Sequence, residues 1–201
     1  MLSIRERQEY LKFLGLYKGK IDGIDGKQTK TAIKNLQAKY FTRKSDVDGL
    51  YGKNTDILLV NAYRVKKYTS NFDLTEFKCG CHTKYCTGYP AYLSINLLRN
   101  IQTMRNNYGS ITLTCGLRCK KYNSSLKGSV SNSYHLYGKA VDWYSYNACY
   151  DLQRRKYAIE KWLLLKGANM SYCNGYMKYI NKGGYYYNAP NMGNAIHSQV
   201  N

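Results

Sequence analysis

Carboxylates are scarce in this chain of 201 residues: 12 Asp and Glu stand against 31 Lys and Arg, giving a formal net charge of +19. Such an imbalance implies an anionic partner, whether nucleic acid, a membrane surface or a wall polymer. Proline is scarcer still, at two residues, and no long low-complexity linker divides the chain. No apolar run approaches the ~20 residues that a membrane-spanning helix needs, so no membrane span is expected. The opening "MLSIRERQEY" is too charged for a secretory signal peptide, so the expected route is synthesis in the cytoplasm and release by lysis or a non-classical path. Zinc-finger spacing and RNA-binding signatures are also missing, and no nucleic-acid partner is expected. Imidazole is limited to His82, His135 and His197.

What is present supports a packed core, with 44% hydrophobic residues and 23 tyrosines. The positive charge is spread rather than concentrated: residues 1–68 hold 15 basic and 7 acidic groups, and residues 69–201 hold 16 and 5. That pattern fits general attraction to a polyanion such as an anionic wall polymer. All seven cysteines lie in the second part, and an odd number leaves one over in any complete disulfide framework. Free thiols are the equal alternative. Cys79, Cys81, His82 and Cys86 lie close enough to suggest a structural metal site, although C-x-C-H-x3-C lacks the usual paired C-x2-C knuckles.

The first third contains a repeat. "DGIDGKQT" (Asp22 to Thr29) recurs as "DGLYGKNT" (Asp48 to Thr55), 26 residues later. The glycines fit a tight turn. Thr29 and Thr55 are placed to cap the helices that follow. Ala32, Ile33, Leu36 and Tyr40 mark one helical face, and Ile57, Leu58, Ala62 and Val65 another. With an earlier helix from about Ile4 to Leu14, ending at Gly15, three short helices are expected. The loops match neither a P-loop nor an EF-hand in spacing. As a unit, "LGLYKGKIDGIDGKQTKTAIKNLQ" resembles the three-helix peptidoglycan-binding domain of wall hydrolases. The resemblance implies a wall-binding module over residues 1–67, with peptidoglycan as its partner.

The segment "VKKYTSNFD" reads as a boundary. A helix is expected from Pro90 to just before Gly109, then a strand with Ile111, Leu113 and Cys115 alternating. Next comes "SNSYHLYGKAVDWYSY". A turn at Gly138 followed by a strand would bring His135 and Asp142 together, and the small Ala140 would leave room beside them. One imidazole and one carboxylate are two of the three ligands of a catalytic zinc; a buried His hydrogen-bonded to an Asp is the alternative.

Ser133-x-His135-x-x-Gly138-x-Ala140-x-Asp142 resembles the S-x-H-x-x-G-x-A-x-D motif of a zinc peptidase family. That family includes D-alanyl-D-alanine carboxypeptidases, dipeptidases and phage L-alanyl-D-glutamate endolysins. The resemblance implies an α+β chain, with a hedgehog-like small antiparallel sheet and helices over residues 72–201. It implies Zn²⁺ held by His135, Asp142 and His197, and Arg118 as the group that binds substrate or stabilises the tetrahedral intermediate. A monomeric peptidoglycan peptidase anchored to the wall is expected, and both carboxypeptidase and endopeptidase activities are compatible with the motif. The alternative is a non-catalytic or weakly active wall-binding protein that retains zinc. Its support is the missing general base: Asn194 and Gln199 occupy the two positions where relatives place acids. The only other carboxylates of the second part are Asp73, Glu76, Asp151, expected as a helix cap, and Glu160.

Overall fold

The computed structural model describes all residues, 1–201. Three helices open the chain: α1 (Ile4–Phe13), α2 (Lys27–Tyr40) and α3 (Lys53–Tyr68). Ser3 and Glu6 form a reciprocal capping box at the start of α1, and Gly15 follows its end with φ +79°. The apolar faces expected for α2 and α3 are all buried.

The repeat builds the turns between these helices, but not by helix capping. Gly26 and Gly52 occupy the cap positions, with no side-chain cap. Thr29 and Thr55 point inward and take part in a polar lock centred on a glutamine. Gln8 Nε2 donates to Asp22 Oδ1 (2.8 Å), Ile24 O (3.1 Å) and Thr29 Oγ1 (3.2 Å), and Gln8 Oε1 accepts from Gly23 N (2.9 Å). Gln37 repeats the pattern with Asp48 Oδ1 (2.9 Å), Leu50 O (3.0 Å), Thr55 Oγ1 (3.0 Å) and Gly49 N (2.7 Å). Both glutamines are buried. Each satisfies turn groups that would otherwise be stranded away from water.

The second part contains α4 (Ile95–Tyr108), β1 (Thr112–Cys115), α5 (Lys120–Ser125), β2 (Ala140–Tyr144), α6 (Tyr146–Cys149), α7 (Leu152–Leu163), β3 (Ala168–Cys173), β4 (Tyr176–Tyr179) and β5 (Ile196–Val200). The five strands form one antiparallel sheet in the order β1-β2-β5-β3-β4. The expected α+β class is the observed one. Helix α4 starts at Ile95, not Pro90. Residues 91–93 instead run as a strap gripped by α3: Asn61 Nδ2 donates to Ala91 O (2.9 Å), Leu93 N donates to Asn61 Oδ1 (2.8 Å), and an Arg64 N–H donates to Leu93 O (2.7 Å). Those tertiary hydrogen bonds outcompete another helical turn. One continuous core of 35 buried residues runs from the three helices into the sheet.

Candidate metal centre

The sheet register lines up four side chains in one row. Cys115 pairs with Asp142, Asp142 with His197, and His197 with Tyr172. Directly paired residues project to the same face, so β1, β2, β5 and β3 each contribute one group to one line. The neighbouring row pairs Ala140 with Gln199. The opposite face is packed, with Trp143 Nε1 donating to Ser198 Oγ (3.0 Å).

His135 arrives from outside the sheet. It lies in a short 3-10 turn, Tyr134–Tyr137, which Gly138 ends in the left-handed region (φ +65°). A side chain at 138 would collide with the Tyr92 carbonyl, so glycine is needed for both conformation and space. The reversal sends β2 back beneath the turn and brings His135 Nε2 to 3.3 Å from Asp142 Oδ1. His135 Nε2 also lies 3.3 Å from His197 Nδ1, and His197 Nδ1 lies 2.7 Å from Asp142 Oδ1. All three residues are buried.

The outer nitrogens fix the tautomers. His135 Nδ1 is 2.6 Å from Gly116 O, which can only accept, so that nitrogen carries the hydrogen and Nε2 keeps a lone pair. His197 Nε2 is 3.1 Å from Gln199 Oε1, which leaves the Nδ1 lone pair facing inward. Two bare imidazole nitrogens and a carboxylate oxygen therefore converge with no hydrogen among them, an arrangement that a cation relieves. Zinc with ligands at ~2.0–2.1 Å separates its donors by ~3.3 Å when tetrahedral. The donors and their outer partners fit such an ion.

Asp142 is held well below the usual carboxylate range. Burial alone would raise it, but the adjacent His135 and, after it, His197 outweigh that effect. Burial pushes His135 below its ordinary value, against the opposing pull of Asp142, so its neutral, ligating form is favoured. Cys115, whose Sγ adjoins His135 and Asp142, is pushed up by burial to about 11 and stays a thiol at neutral pH.

Arg118 flanks the row. It donates to Asp142 Oδ2 (3.0 Å) and through Nε to Cys115 Sγ (3.1 Å), which leaves other guanidinium N–H groups uncommitted. Two clefts adjoin it. One, of about 710 Å³, contains His135, His197, Gln199, Tyr172 and Lys182 and is lined by no carboxylate. The other, of about 370 Å³, contains Asp142, Cys115 and Glu76.

Asn194 is not part of this constellation. It is exposed, and its Oδ1 accepts from Arg155 (3.2 Å). Asp151 caps α7 by accepting from Arg154 N (2.7 Å), and Glu160 binds Lys178 (2.6 Å) and Tyr176 (2.9 Å). Sequence reasoning did not find the parts played by Gln199, Tyr172, Cys115 and the Gly116 carbonyl. Gln199 had a signal, two residues beyond His197 on a strand and hence on the same face; a backbone carbonyl has none.

Residues 70–159 match the Peptidase M15 family, and residues 2–55 match a peptidoglycan-binding domain family. The first match contains Arg118, His135 and Asp142 but stops short of His197. The chain is also similar to the spore cortex-lytic enzyme of Bacillus cereus, at 41% identity over 76 residues, which is 38% of this chain and 28% of the relative. The spore cortex-lytic enzyme of Oceanobacillus iheyensis is 40% identical over 71 residues, 35% of this chain and 22% of that protein. The chain thus spans about a quarter of the length of these curated relatives.

Proposed function

We propose that this chain, which joins an N-terminal peptidoglycan-binding domain to an M15 peptidase domain, is a zinc-dependent peptidase that cuts a stem-peptide bond of peptidoglycan while anchored to the wall. The division of labour runs between residues 1–67, which hold the wall, and residues 72–201, which carry the chemistry. The observation that carries this reading is the convergence of His135 Nε2, Asp142 Oδ1 and His197 Nδ1, with Gly116 O and Gln199 Oε1 at the outer imidazole nitrogens.

His135, Asp142 and His197 would hold Zn²⁺. Bound there, zinc supplies Lewis-acid polarisation of a carbonyl and lowers the pKa of water toward neutrality. Gly116 O and Gln199 Oε1 orient the two imidazoles. Arg118 steadies the Asp142 carboxylate and keeps donors free for a substrate carboxylate or a developing oxyanion. Lys182 and the tyrosines make the larger cleft suited to an anionic peptide. Glu76 is the one remaining carboxylate that shares a cleft with Asp142 and Arg118; it does not line the larger cleft, so a general-base role for it, which Asn194 and Gln199 cannot fill, requires the scissile bond to be approached from the smaller one. Its Oε1 accepts from Asp73 N (2.8 Å), which orients the side chain.

Attachment through the N-terminal domain raises the local concentration of stem peptides. A charge of +19 favours walls rich in anionic polymers. The site of action is accordingly the bacterial cell wall. No helix is long and apolar enough to cross a membrane.

Digestion of purified peptidoglycan, with and without chelator, tests the reading. Release of new amino termini or free D-alanine, abolished by chelator and restored by zinc, is the expected result. Wall binding and zinc retention with no bond cleaved would instead assign the chain to non-catalytic wall binding.

A further inference from the structure

A second cluster of metal-type side chains lies apart from the row just described. Residues 78–89 form neither helix nor strand, and their interior is sulfur. Cys79, Cys81 and Cys119 make a buried cluster separate from the main core, with Cys86 and Tyr122 packed against it. The four Sγ atoms of Cys79, Cys81, Cys86 and Cys119 all lie within 4.8 Å of one another. Those of Cys81 and Cys86 are 3.5 Å apart. Zinc with Zn–S bonds of ~2.3 Å spaces tetrahedral sulfurs by ~3.8 Å.

The surroundings suit thiolates. Cys119 N donates to Cys79 Sγ (3.3 Å) and Gly88 N to Cys86 Sγ (3.4 Å). None of the seven cysteines is in a disulfide. Four neutral thiols would offer one another only weak S–H donors, a poor reason for a segment with so little apolar content to fold around them. His82, the sequence-based candidate in this segment, is exposed, has a left-handed backbone (φ +48°) and is not among the clustered groups. The fourth sulfur comes instead from Cys119, beyond the reach of local spacing.

We propose that Cys79, Cys81, Cys86 and Cys119 hold a structural zinc ion, independent of the centre at His135, Asp142 and His197. On binding, the four thiols release their protons to solvent and the ion accepts four sulfur lone pairs, with no change of oxidation state. A closed set of four sulfurs leaves no open position, so the role is structural. The site ties residues 78–89 to the turn that carries the active-site groups: Cys119 directly follows Arg118, and Leu117 N donates to Phe77 O (2.9 Å).

The test uses the full chain. Elemental analysis of the His135→Ala/His197→Ala chain should find one zinc per chain, and the Cys79→Ser/Cys119→Ser change should remove it. The wild-type chain provides two readouts that do not depend on folding of a variant. Cobalt substitution should produce the intense sulfur-to-cobalt charge-transfer absorption of a tetrahedral tetrathiolate, and chelator should expose four further thiols to maleimide. A His-variant chain without zinc, a cobalt spectrum without thiolate bands, or an intact mass revealing disulfides among these four cysteines would each overturn the proposal. A wild-type chain with one zinc, lost only on cysteine substitution, would uphold it while removing the zinc peptidase reading.

Discussion

Asp142 and His197 face each other across β2 and β5, 55 residues apart in sequence, with Oδ1 and Nδ1 separated by 2.7 Å. The sheet register alone creates that relationship. Ala140 and Gln199 pair one row away, so the outer partner of His197 is set by the same ladder.

Gln199→Leu keeps the strand and removes the acceptor for His197 Nε2. Loss of an outer partner of this kind costs ~10–100-fold in metal affinity or activity. Zinc affinity measured by chelator competition should fall by that factor while the far-ultraviolet spectrum is retained.

Glu76→Gln preserves an oxygen for Asp73 N–H but removes the carboxylate, and so tests the general-base role. The rate of peptidoglycan cleavage should drop ~10²–10⁴-fold, with zinc content unchanged. An unaltered rate would remove Glu76 from the mechanism.

Gln37→Leu leaves Asp48, Gly49, Leu50 and Thr55 without their shared partner. Thermal or denaturant unfolding should register a loss of ~1–3 kcal/mol, the cost of stranding buried polar groups. Gln8→Leu should behave alike, because its lock repeats the same contacts.

Asp56 links the N-terminal helices to the strap before α4, accepting from Leu2 N (2.7 Å), Tyr51 Oη (2.8 Å) and Tyr92 Oη. Burial by itself would raise its pKa, but these hydrogen bonds prevail and lower it. A depressed folded value means the stabilisation is complete above the unfolded pKa of ~3.9 and is lost as pH falls through the folded one. Comparison of wild type with Asp56→Asn across that range should show the stability gap closing on acidification, with the wild type the more stable at neutral pH.

Local signals specify much of this chain. The apolar spacing of Ala32, Ile33, Leu36 and Tyr40 marks a buried helical face, the paired glycines mark turns, and Asp151 marks the start of α7, because each depends on residues within a few positions. His135, Gly138 and Asp142 belong to the same category: an eight-residue span with one left-handed turn brings its own ends together. Long-range pairing decided the rest. Thr29 and Thr55 serve buried glutamines instead of helix caps, since Gln8 and Gln37 lie across the helix packing. Helix α4 begins five residues after Pro90 because Asn61 and Arg64 claim the intervening backbone. Cys119 displaces His82 from the sulfur cluster, and Gln199 serves His197 while Asn194 turns to Arg155. Periodicity encodes which face a residue occupies, whereas strand order and loop closure determine what it meets there.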